Sequence, residues 1–150
     1  MREMGADRLT VPVELNRREI REAGKAGDLI VYGRLPMMVS AQCIRKTMEG
    51  CSRKPEILRL KDRKGKEFPV VNQCRFCCNT IYNSAPLSLL GLSGEVLGLH
   101  PEALRLDFTT EDGKETGRVL GEFYREYILG EDAAAVSGDI TRGHFRRGIE

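Results

Sequence analysis

The stretch ALRLDFTTEDGKETGRVLGEFYREYIL, residues 103–129, decides the fold class because it joins a strand pattern to a helix pattern. Apolar and polar side chains alternate over residues 103–109, as in a strand with one covered face. Residues 116–129 follow the helical period instead. The side chains predicted to face inward from this helix are Val119, Leu120, Phe123 and Tyr127. A strand followed by an amphipathic helix is the repeating unit of α/β proteins.

The N-terminal region has the same alternation of strand and helix. Residues 9–15 and 29–33 predict strands, and residues 17–26 between them predict a helix. Asn16 is the expected N-cap of this helix and Gly27 its end. A chain of 150 residues with 41% hydrophobic content can bury one ordinary core. We therefore expect one α/β domain.

The middle of the chain predicts mostly β structure. Residues 57–60 and 68–71 form the two halves of a β-hairpin pattern around a basic turn. Residues 79–83 predict another strand, and residues 86–99 predict a helix. The hairpin separates two groups of cysteines.

Polar side chains of the predicted strands share faces that a covering helix would leave open. In a parallel sheet they would converge near the strand ends, where α/β enzymes have their active sites. The candidate catalytic residues are Glu14, Asn16, Tyr32, Arg34, Arg105 and Asp107. The two arginines suit an anionic substrate, because guanidinium groups pair with carboxylate or phosphate. Two alternatives stay open. The sheet could be antiparallel with one solvent-exposed face, or the arginines could form ion pairs with Glu14 or Asp107.

All five cysteines of the chain lie between residues 43 and 78. Disulfides, zinc and an iron–sulfur cluster are the candidate chemistries for such a group. The N-terminus is charged and no long apolar run follows it, so we predict no secretory signal and no membrane span. A cytoplasmic protein is expected. Thiols in that compartment are kept reduced, which favours a bound metal over disulfides.

The spacing of the cysteines predicts which of them bind the metal. Cys74 and Cys77 form a C-x-x-C pair, which directs two thiolates at one centre. Two cysteines from a separate segment can complete a four-thiolate site. The predicted ligands are Cys43, Cys51, Cys74 and Cys77, with Cys78 as a substitute for Cys77.

Positive charge is concentrated around the cysteines. Residues 43–78 contain ten Lys and Arg against four Asp and Glu, whereas the remainder contains fourteen against eighteen. Nearby cations lower the pKa of thiols and stabilise a metal–thiolate centre, and they also attract nucleic-acid phosphates. A solvated basic hairpin is the alternative. The residues that would bind RNA are Arg59, Lys61, Arg63, Lys64, Lys66, Arg142, Arg146 and Arg147, with Phe68 and Phe76 for base stacking.

The stretch GRLPMMVSAQC, residues 33–43, resembles the signature of the collagenase-like peptidases, peptidase family U32. That signature runs G-[SA]-L-C, three residues, then S-G-x-C. The matching residues are Gly33, Leu35, Ser40 and Cys43, whereas Pro36 replaces the first cysteine and Ala41 the second glycine. Residues 62–65, 68–70, 74–83 and 86–87, and the ending at residues 141–145, resemble the same family.

The resemblance implies a (β/α) TIM-like barrel and a [4Fe-4S] cluster. The better understood members resemble iron–sulfur proteins that support oxygen-independent hydroxylation of RNA or a quinone precursor. By motif, Cys43 corresponds to a cluster ligand, with Cys51 as another and Cys74 with Cys77 as the closing pair. Because Pro36 removes one family cysteine, the C-x-x-C pair must supply the replacement.

The family label also implies a true peptidase or collagenase, which needs an activated nucleophile or a metal-bound water. His100 and His144 are the only histidines, and neither lies in a nucleophile or zinc-protease motif. A further alternative is a zinc-stabilised RNA-binding module, in which the cysteines serve as a structural staple.

The resemblance makes this chain look like the C-terminal part of a barrel. Residues 1–130 would form a partial (β/α) barrel with a cysteine-rich, cluster-binding insertion at residues 36–83, and residues 131–150 a linker and basic tail. A partial sheet exposes an unpaired edge. The expected partner is therefore the missing N-terminal barrel segment or a separate partner chain.

Overall fold

A computed structural model describes Gly5 and residues 7–24, 27–132 and 138–147. The chain divides into two compact units. Met1–Gly33 and Leu87–Glu150 form the first, here called the core unit, and Arg34–Pro86 form the second, the cysteine unit. The cysteine unit is thus inserted into the sequence of the core unit. No helix among the described residues is long and apolar enough to cross a bilayer.

Four α-helices and seven strands make up the described part of the chain. In chain order they are α1 (Arg17–Glu22), β1 (Asp28–Gly33), β2 (Pro36–Ser40), α2 (Ile44–Glu49), β3 (Glu56–Lys61), β4 (Glu67–Gln73), β5 (Cys78–Tyr82), β6 (Leu87–Ser88), α3 (Ser93–Leu97), β7 (Ala103–Asp107) and α4 (Gly113–Tyr127).

The core unit contains a three-stranded sheet in the order β6-β1-β7. Strands β1 and β7 are parallel, with Leu29 opposite Leu104, whereas β6 pairs antiparallel to β1. Helix α4 contributes Val119, Phe123 and Tyr127 to the core. The predicted α/β class is confirmed, while the described residues form two open sheets and no closed barrel, so the barrel stays a prediction.

Two predicted elements of the core unit are wrong in part. Residues 9–15 form no strand: Thr10 makes an isolated bridge to Asp28, and a turn follows because Leu15 N–H donates to the Pro12 carbonyl. Residues 86–99 were predicted as one helix, yet their first part pairs with β1 and only α3 is helical. Long-range strand pairing has overridden local helix propensity there.

The ends of the other predicted helices also differ in detail. Asn16 is the N-cap of α1, as predicted, and forms a capping box with Glu19. Helix α1 ends at Glu22, and the rest of the prediction reaches residues 25–26, which lie outside the described residues. Leu120 of α4, predicted to face inward, is 53% exposed. Of the predicted linker and tail, residues 131–150, residues 133–137 and 148–150 lie outside the described residues.

The cysteine unit is built on an antiparallel sheet in the order β2-β5-β4-β3. Strands β3 and β4 form the predicted hairpin, and β5 covers most of the strand predicted at residues 79–83. Strand β2, which has no alternating pattern, was not predicted. Val70, Asn72 and Asn79 lie at the centre of this sheet and are almost completely buried.

Candidate metal centre

The five cysteines lie in three short segments of the cysteine unit, and all are free thiols. Cys43 is buried at the start of α2, and Cys51 is exposed in the loop after that helix. Cys74 and Cys77 flank a tight turn between β4 and β5, and Cys78 is the first residue of β5. The fold thus brings the N-terminus of α2 and the β4–β5 turn into one neighbourhood.

The β4–β5 turn sets the position of the C-x-x-C pair. Cys74–Phe76 form one turn of 3₁₀-helix, which the N–H of Cys77 closes on the Cys74 carbonyl at 3.3 Å. Cys77 has a φ of 50°, in the left-handed region that non-glycine residues rarely adopt. This reversal ends the turn and lets the chain re-enter the sheet at Cys78.

A buried amide connects two of the three cysteine segments, those of Cys43 and Cys74. The thiol of Cys43 donates to Oδ1 of Asn72 at 3.6 Å, and Nδ2 of Asn72 donates to Sγ of Cys74 at 3.7 Å. The thiol of Cys74 in turn donates to the Lys54 carbonyl at 3.0 Å. Asn72 is 1% exposed. Cys43 and Cys74 are therefore within reach of a single side chain.

Three of the predicted ligands line one open cleft of about 800 Å³. Its wall includes Cys51, Cys74 and Cys77, together with Arg53 and Arg75. The aromatic ring at its rim, Phe76, is 69% exposed, and the Arg75 guanidinium lies 5.5 Å from the ring centroid. The cleft combines thiols with positive charge, which suits an anionic metal–thiolate centre.

The pKa of the Cys74 thiol is raised above its ordinary value. Desolvation is the main cause, followed by the nearby thiols of Cys51 and Cys43, the carboxylate of Glu56 and the thiol of Cys77. The predicted lowering by the basic residues is therefore wrong for Cys74. The same causes indicate that the other three predicted ligands are the electrostatic neighbours of Cys74.

Cys78 differs from the other four. Its thiol donates to Oε1 of Gln73 at 3.7 Å, and Gln73 in turn donates to Thr80. Cys78 is neither part of the cleft wall nor among the groups that act on the Cys74 thiol.

The predicted ligands fit a cluster rather than a single metal ion. Within the described residues, no three His, Cys, Asp or Glu side chains are close enough to hold one metal ion. The buried Oδ1 of Asn79, whose residue lies opposite Asn72 in the sheet, has no hydrogen-bond partner there. The three thiols of the basic cleft, together with that of Cys43, still fit the chemistry of a multi-iron cluster, whose thiolates bind separate iron atoms.

The candidate catalytic residues have separate local partners. Asn16 accepts from the N–H groups of Arg18 and Glu19 as a helix cap. Tyr32 donates to Glu111 at 3.1 Å.

The other four candidates include one ion pair. Arg105 pairs with Asp107 at 2.6 Å, which is the ion-pair alternative, and its guanidinium also donates to Thr10. Arg34, in the cysteine unit, donates to the carbonyls of Asn83 and Ser84, and Glu14 is exposed.

The basic hairpin has a well-defined tip. The Asp62 carboxylate accepts from the backbone N–H groups of Lys64 and Lys66, and Arg59 pairs with Glu67 at 2.9 Å. The hairpin side chains that point into solvent are those of Arg59, Lys61, Arg63, Lys64 and Lys66.

The other residues predicted to bind RNA differ in exposure. Arg142 donates to the Ser88 and Leu90 carbonyls and Arg146 pairs with Glu95, so both have partners in the core unit. Arg147 is exposed, whereas Phe68 is only half-buried in β4.

Asn72 is the functional candidate that sequence reasoning missed. Strand β4 alternates, and Asn72 occupies a covered position next to the covered Val70. An asparagine at such a position was the signal that could have revealed it, because buried amides need partners.

Comparisons of the chain with protein-family models, with curated proteins and with solved structures found no match.

Proposed function

We propose that the cysteine unit binds a [4Fe-4S] cluster through Cys43, Cys51, Cys74 and Cys77. In this proposal the chain is the C-terminal part of a U32-type protein that supports oxygen-independent hydroxylation of RNA or a related substrate. The carrying observation is that a single buried amide contacts both Cys43 and Cys74. Cys51 and Cys77 line a cleft with Cys74, so all four thiols belong to one neighbourhood.

The spacing of the thiols favours a cluster over zinc. A structural zinc ion holds four sulfurs at about 2.3 Å, so its ligands crowd around one point. A [4Fe-4S] cluster binds each thiolate at a different iron and needs a wider frame. The thiols of Cys43, Cys51 and Cys77 act on that of Cys74, and in the described part of the chain no three such side chains are close enough for one ion.

The surrounding residues would bind and orient the cofactor and its substrate. Cys43, Cys51, Cys74 and Cys77 are the cluster ligands in this proposal, and a bound cluster supplies one-electron chemistry. Arg53 and Arg75 in the cleft wall offset the negative charge of four thiolates. Exposed cations on the β3–β4 hairpin attract the phosphates of an RNA substrate.

A zinc-stabilised RNA-binding module is the second candidate, and the hairpin is the observation that favours it. The hairpin side chains of Arg63, Lys64 and Lys66 are exposed around a turn that Asp62 holds rigid. Phosphate contacts from such a tip would give affinity with steep salt dependence and little sequence preference. The alternative of a true peptidase rests on the family resemblance alone.

We further propose that the core unit associates with another β/α segment, from the same protein or a partner chain. Strand β7 is at the edge of its sheet. Leu120 and Tyr124 of α4 and its C-cap Ile128 are each more than half exposed, and their four-residue spacing puts them on one face. A co-expressed upstream segment should bury this face and reduce aggregation. A monomeric chain with a sharp unfolding transition would count against this association.

Single serine substitutions of the five cysteines test the cluster proposal. Each variant is purified without oxygen, and its iron and acid-labile sulfide are measured per chain. Cys43→Ser, Cys51→Ser, Cys74→Ser and Cys77→Ser should each lose most of the iron. Cys78→Ser is the matched control, since its neighbour Cys77 is a proposed ligand, and it should retain wild-type iron. If iron survives substitution of any proposed ligand, that residue is not a ligand.

A further inference from the structure

Asn72 has a role that the proposed ligand set does not include. Its side chain makes hydrogen bonds to Cys43 Sγ and Cys74 Sγ, at 3.6 and 3.7 Å. We propose that Asn72 is a positioning residue, which fixes these two ligands relative to each other before a centre binds and donates an N–H···S bond to Cys74 in the bound state. This inference rests on the proposed function, because it assumes that both cysteines are ligands.

The burial of Asn72 is the first argument. A primary amide that is 1% exposed is costly to bury unless its polar atoms are bonded. The covered face of β4 could hold an apolar residue at this position, as it does at Val70. Asn72 instead uses both ends of its amide on cysteine sulfur. Its polarity serves the thiols, since the sheet itself has no need of it.

The position of Asn72 in the fold is the second argument. Cys43 begins α2, whereas Cys74 follows β4, so the two thiols are far apart in sequence. Asn72 lies on β4 two residues before Cys74, where the sheet fixes its backbone opposite Asn79. A strand residue that contacts both thiols can hold them in one geometry before any metal binds. This reduces the conformational entropy that the two cysteine side chains lose on metal binding.

Metal binding would affect the two contacts differently. Binding would remove the thiol protons of Cys43 and Cys74, which are released to solvent. The Cys43 sulfur would then have no proton to donate to Asn72 Oδ1, whereas the N–H···S bond from Asn72 Nδ2 to the Cys74 thiolate would become charge-assisted and stronger. Hydrogen bonds to cluster sulfurs raise the reduction potential, because they stabilise the more negative reduced state.

Gln73 provides a matched control for Asn72. Both residues are amides on the same strand, and each contacts a cysteine sulfur. Asn72 contacts two proposed ligands, whereas Gln73 contacts only Cys78. The alternation of the strand puts them on opposite faces of the sheet. Asn72→Leu and Gln73→Leu therefore remove the same type of group from a ligand contact and from a non-ligand contact.

The test compares iron release and reduction potential in these variants of the full chain, loaded without oxygen. Asn72→Leu should release iron to a chelator about tenfold faster than wild type, the usual scale for losing an outer-shell partner. Its reduction potential should be more negative. Gln73 also lines the cleft, so Gln73→Leu is expected to change both measurements much less than Asn72→Leu, because it removes no hydrogen bond to a proposed ligand. If Asn72→Leu fails to fold, Asn72→Ser, which keeps one donor, replaces it and should give intermediate values.

The outcomes separate this inference from the proposed function. Wild-type protein with zinc and no sulfide would contradict the cluster. In that case, faster zinc release from Asn72→Leu than from wild type would support the positioning role, and an equal rate would overturn it. Iron-loaded Asn72→Leu with wild-type release rate and potential would overturn the role of Asn72 and leave the cluster in place. Equal losses in Asn72→Leu and Gln73→Leu would also overturn it, because they would indicate general damage to β4.

Discussion

The two units of this chain are stabilised by different kinds of interior. Among the described residues, seventeen hydrophobic side chains are buried, and fourteen of them belong to the core unit. The cysteine unit has only Cys43, Val70 and Ile81. It buries as many polar residues as apolar ones, namely Asn72, Asn79 and Thr80. One unit is thus held by packing, and the other has a small and polar interior.

Under the proposed metal centre, this difference accounts for thiols occurring in one unit only. A domain of fewer than about 70 residues rarely obtains enough stability from a hydrophobic core, and natural ones of this size add disulfides or a metal. The cysteine unit, Arg34–Pro86, is below that size and contains all five cysteines. The account predicts that a bound centre supplies the folding free energy that its interior lacks.

Removal of the centre should have the largest effect, and on one unit alone. Stripping the metal with a chelator without oxygen should destabilise the cysteine unit while its sheet remains formed, because the free energy of metal binding adds to that of folding. Hydrogen exchange should show loss of protection in β4 and β5 and unchanged protection in β1 and α4. Equal loss of protection in both units, or no loss in either, would contradict the proposed difference between them.

Truncation of a buried side chain in the core unit should destabilise that unit and not the cysteine unit. Phe123 is 3% exposed and packs 5.5 Å from Tyr127 and 6.0 Å from Tyr32, between ring centroids. Phe123→Ala should destabilise the core unit by about 3–5 kcal/mol, measured by urea unfolding. Tyr124→Ala, on the same helix but 54% exposed, is the control and should change stability by less than about 0.5 kcal/mol. Metal content should be unchanged in Tyr124→Ala.

Elements with a strong local signal were predictable from sequence. The β3–β4 hairpin, β1, β7 and α4 all follow clear periods or turn residues. Elements that depend on distant partners were not. Residues 87–89 pair with β1, and the buried Glu126 carboxylate accepts from Gly91 and Ser93 at the start of α3. Neither contact leaves a local pattern, so the predicted helix at residues 86–99 was too long.

The candidate site was predictable to a similar extent. Cysteine spacing identified the segments that the fold brings together, since C-x-x-C is a local feature. The amide that connects Cys43 to Cys74 was missed, because the separation between Cys43 and Asn72 is a property of the folded sheet. Leu120 was assigned to the inward face of α4, although it is exposed. The helical period alone cannot distinguish an apolar residue that packs on the core from one on a solvent-exposed face.

Asn16 offers a smaller test, which separates a helix cap from a catalytic group. Its Oδ1 accepts from the backbone N–H groups of Arg18 and Glu19. Asn16→Ala should therefore destabilise the core unit by about 1 kcal/mol in urea unfolding. Asn16→Asp should retain wild-type stability, because aspartate caps helices equally well. Wild-type stability in Asn16→Ala would contradict the capping role.

The smallest expected effect concerns the pH dependence of the core unit. Burial acts to raise the pKa of Glu111, but hydrogen bonds from the Thr109 and Thr110 N–H groups and from Tyr32 outweigh it and lower the pKa. A lowered carboxyl pKa stabilises the folded state above the unfolded pKa of about 4.3, and this contribution is lost as pH falls through the folded value. The side chain is partly solvated, so the effect should stay below about 1 kcal/mol.

The matching experiment compares urea unfolding of wild type and Glu111→Gln between about pH 6 and pH 2. Wild-type stability should fall more steeply with decreasing pH than that of the variant, because only the carboxylate titrates. Parallel curves would rule out a pH-dependent contribution from Glu111.

The most direct test of the central claim is the iron, zinc and acid-labile sulfide content of the wild-type chain purified without oxygen, together with its visible spectrum. The account predicts about four irons and four sulfides per chain, no zinc, and a broad brown absorption. One zinc per chain without sulfide would contradict the cluster and support the structural metal of an RNA-binding module. Wild-type chain purified with neither iron nor zinc bound would contradict the central claim altogether.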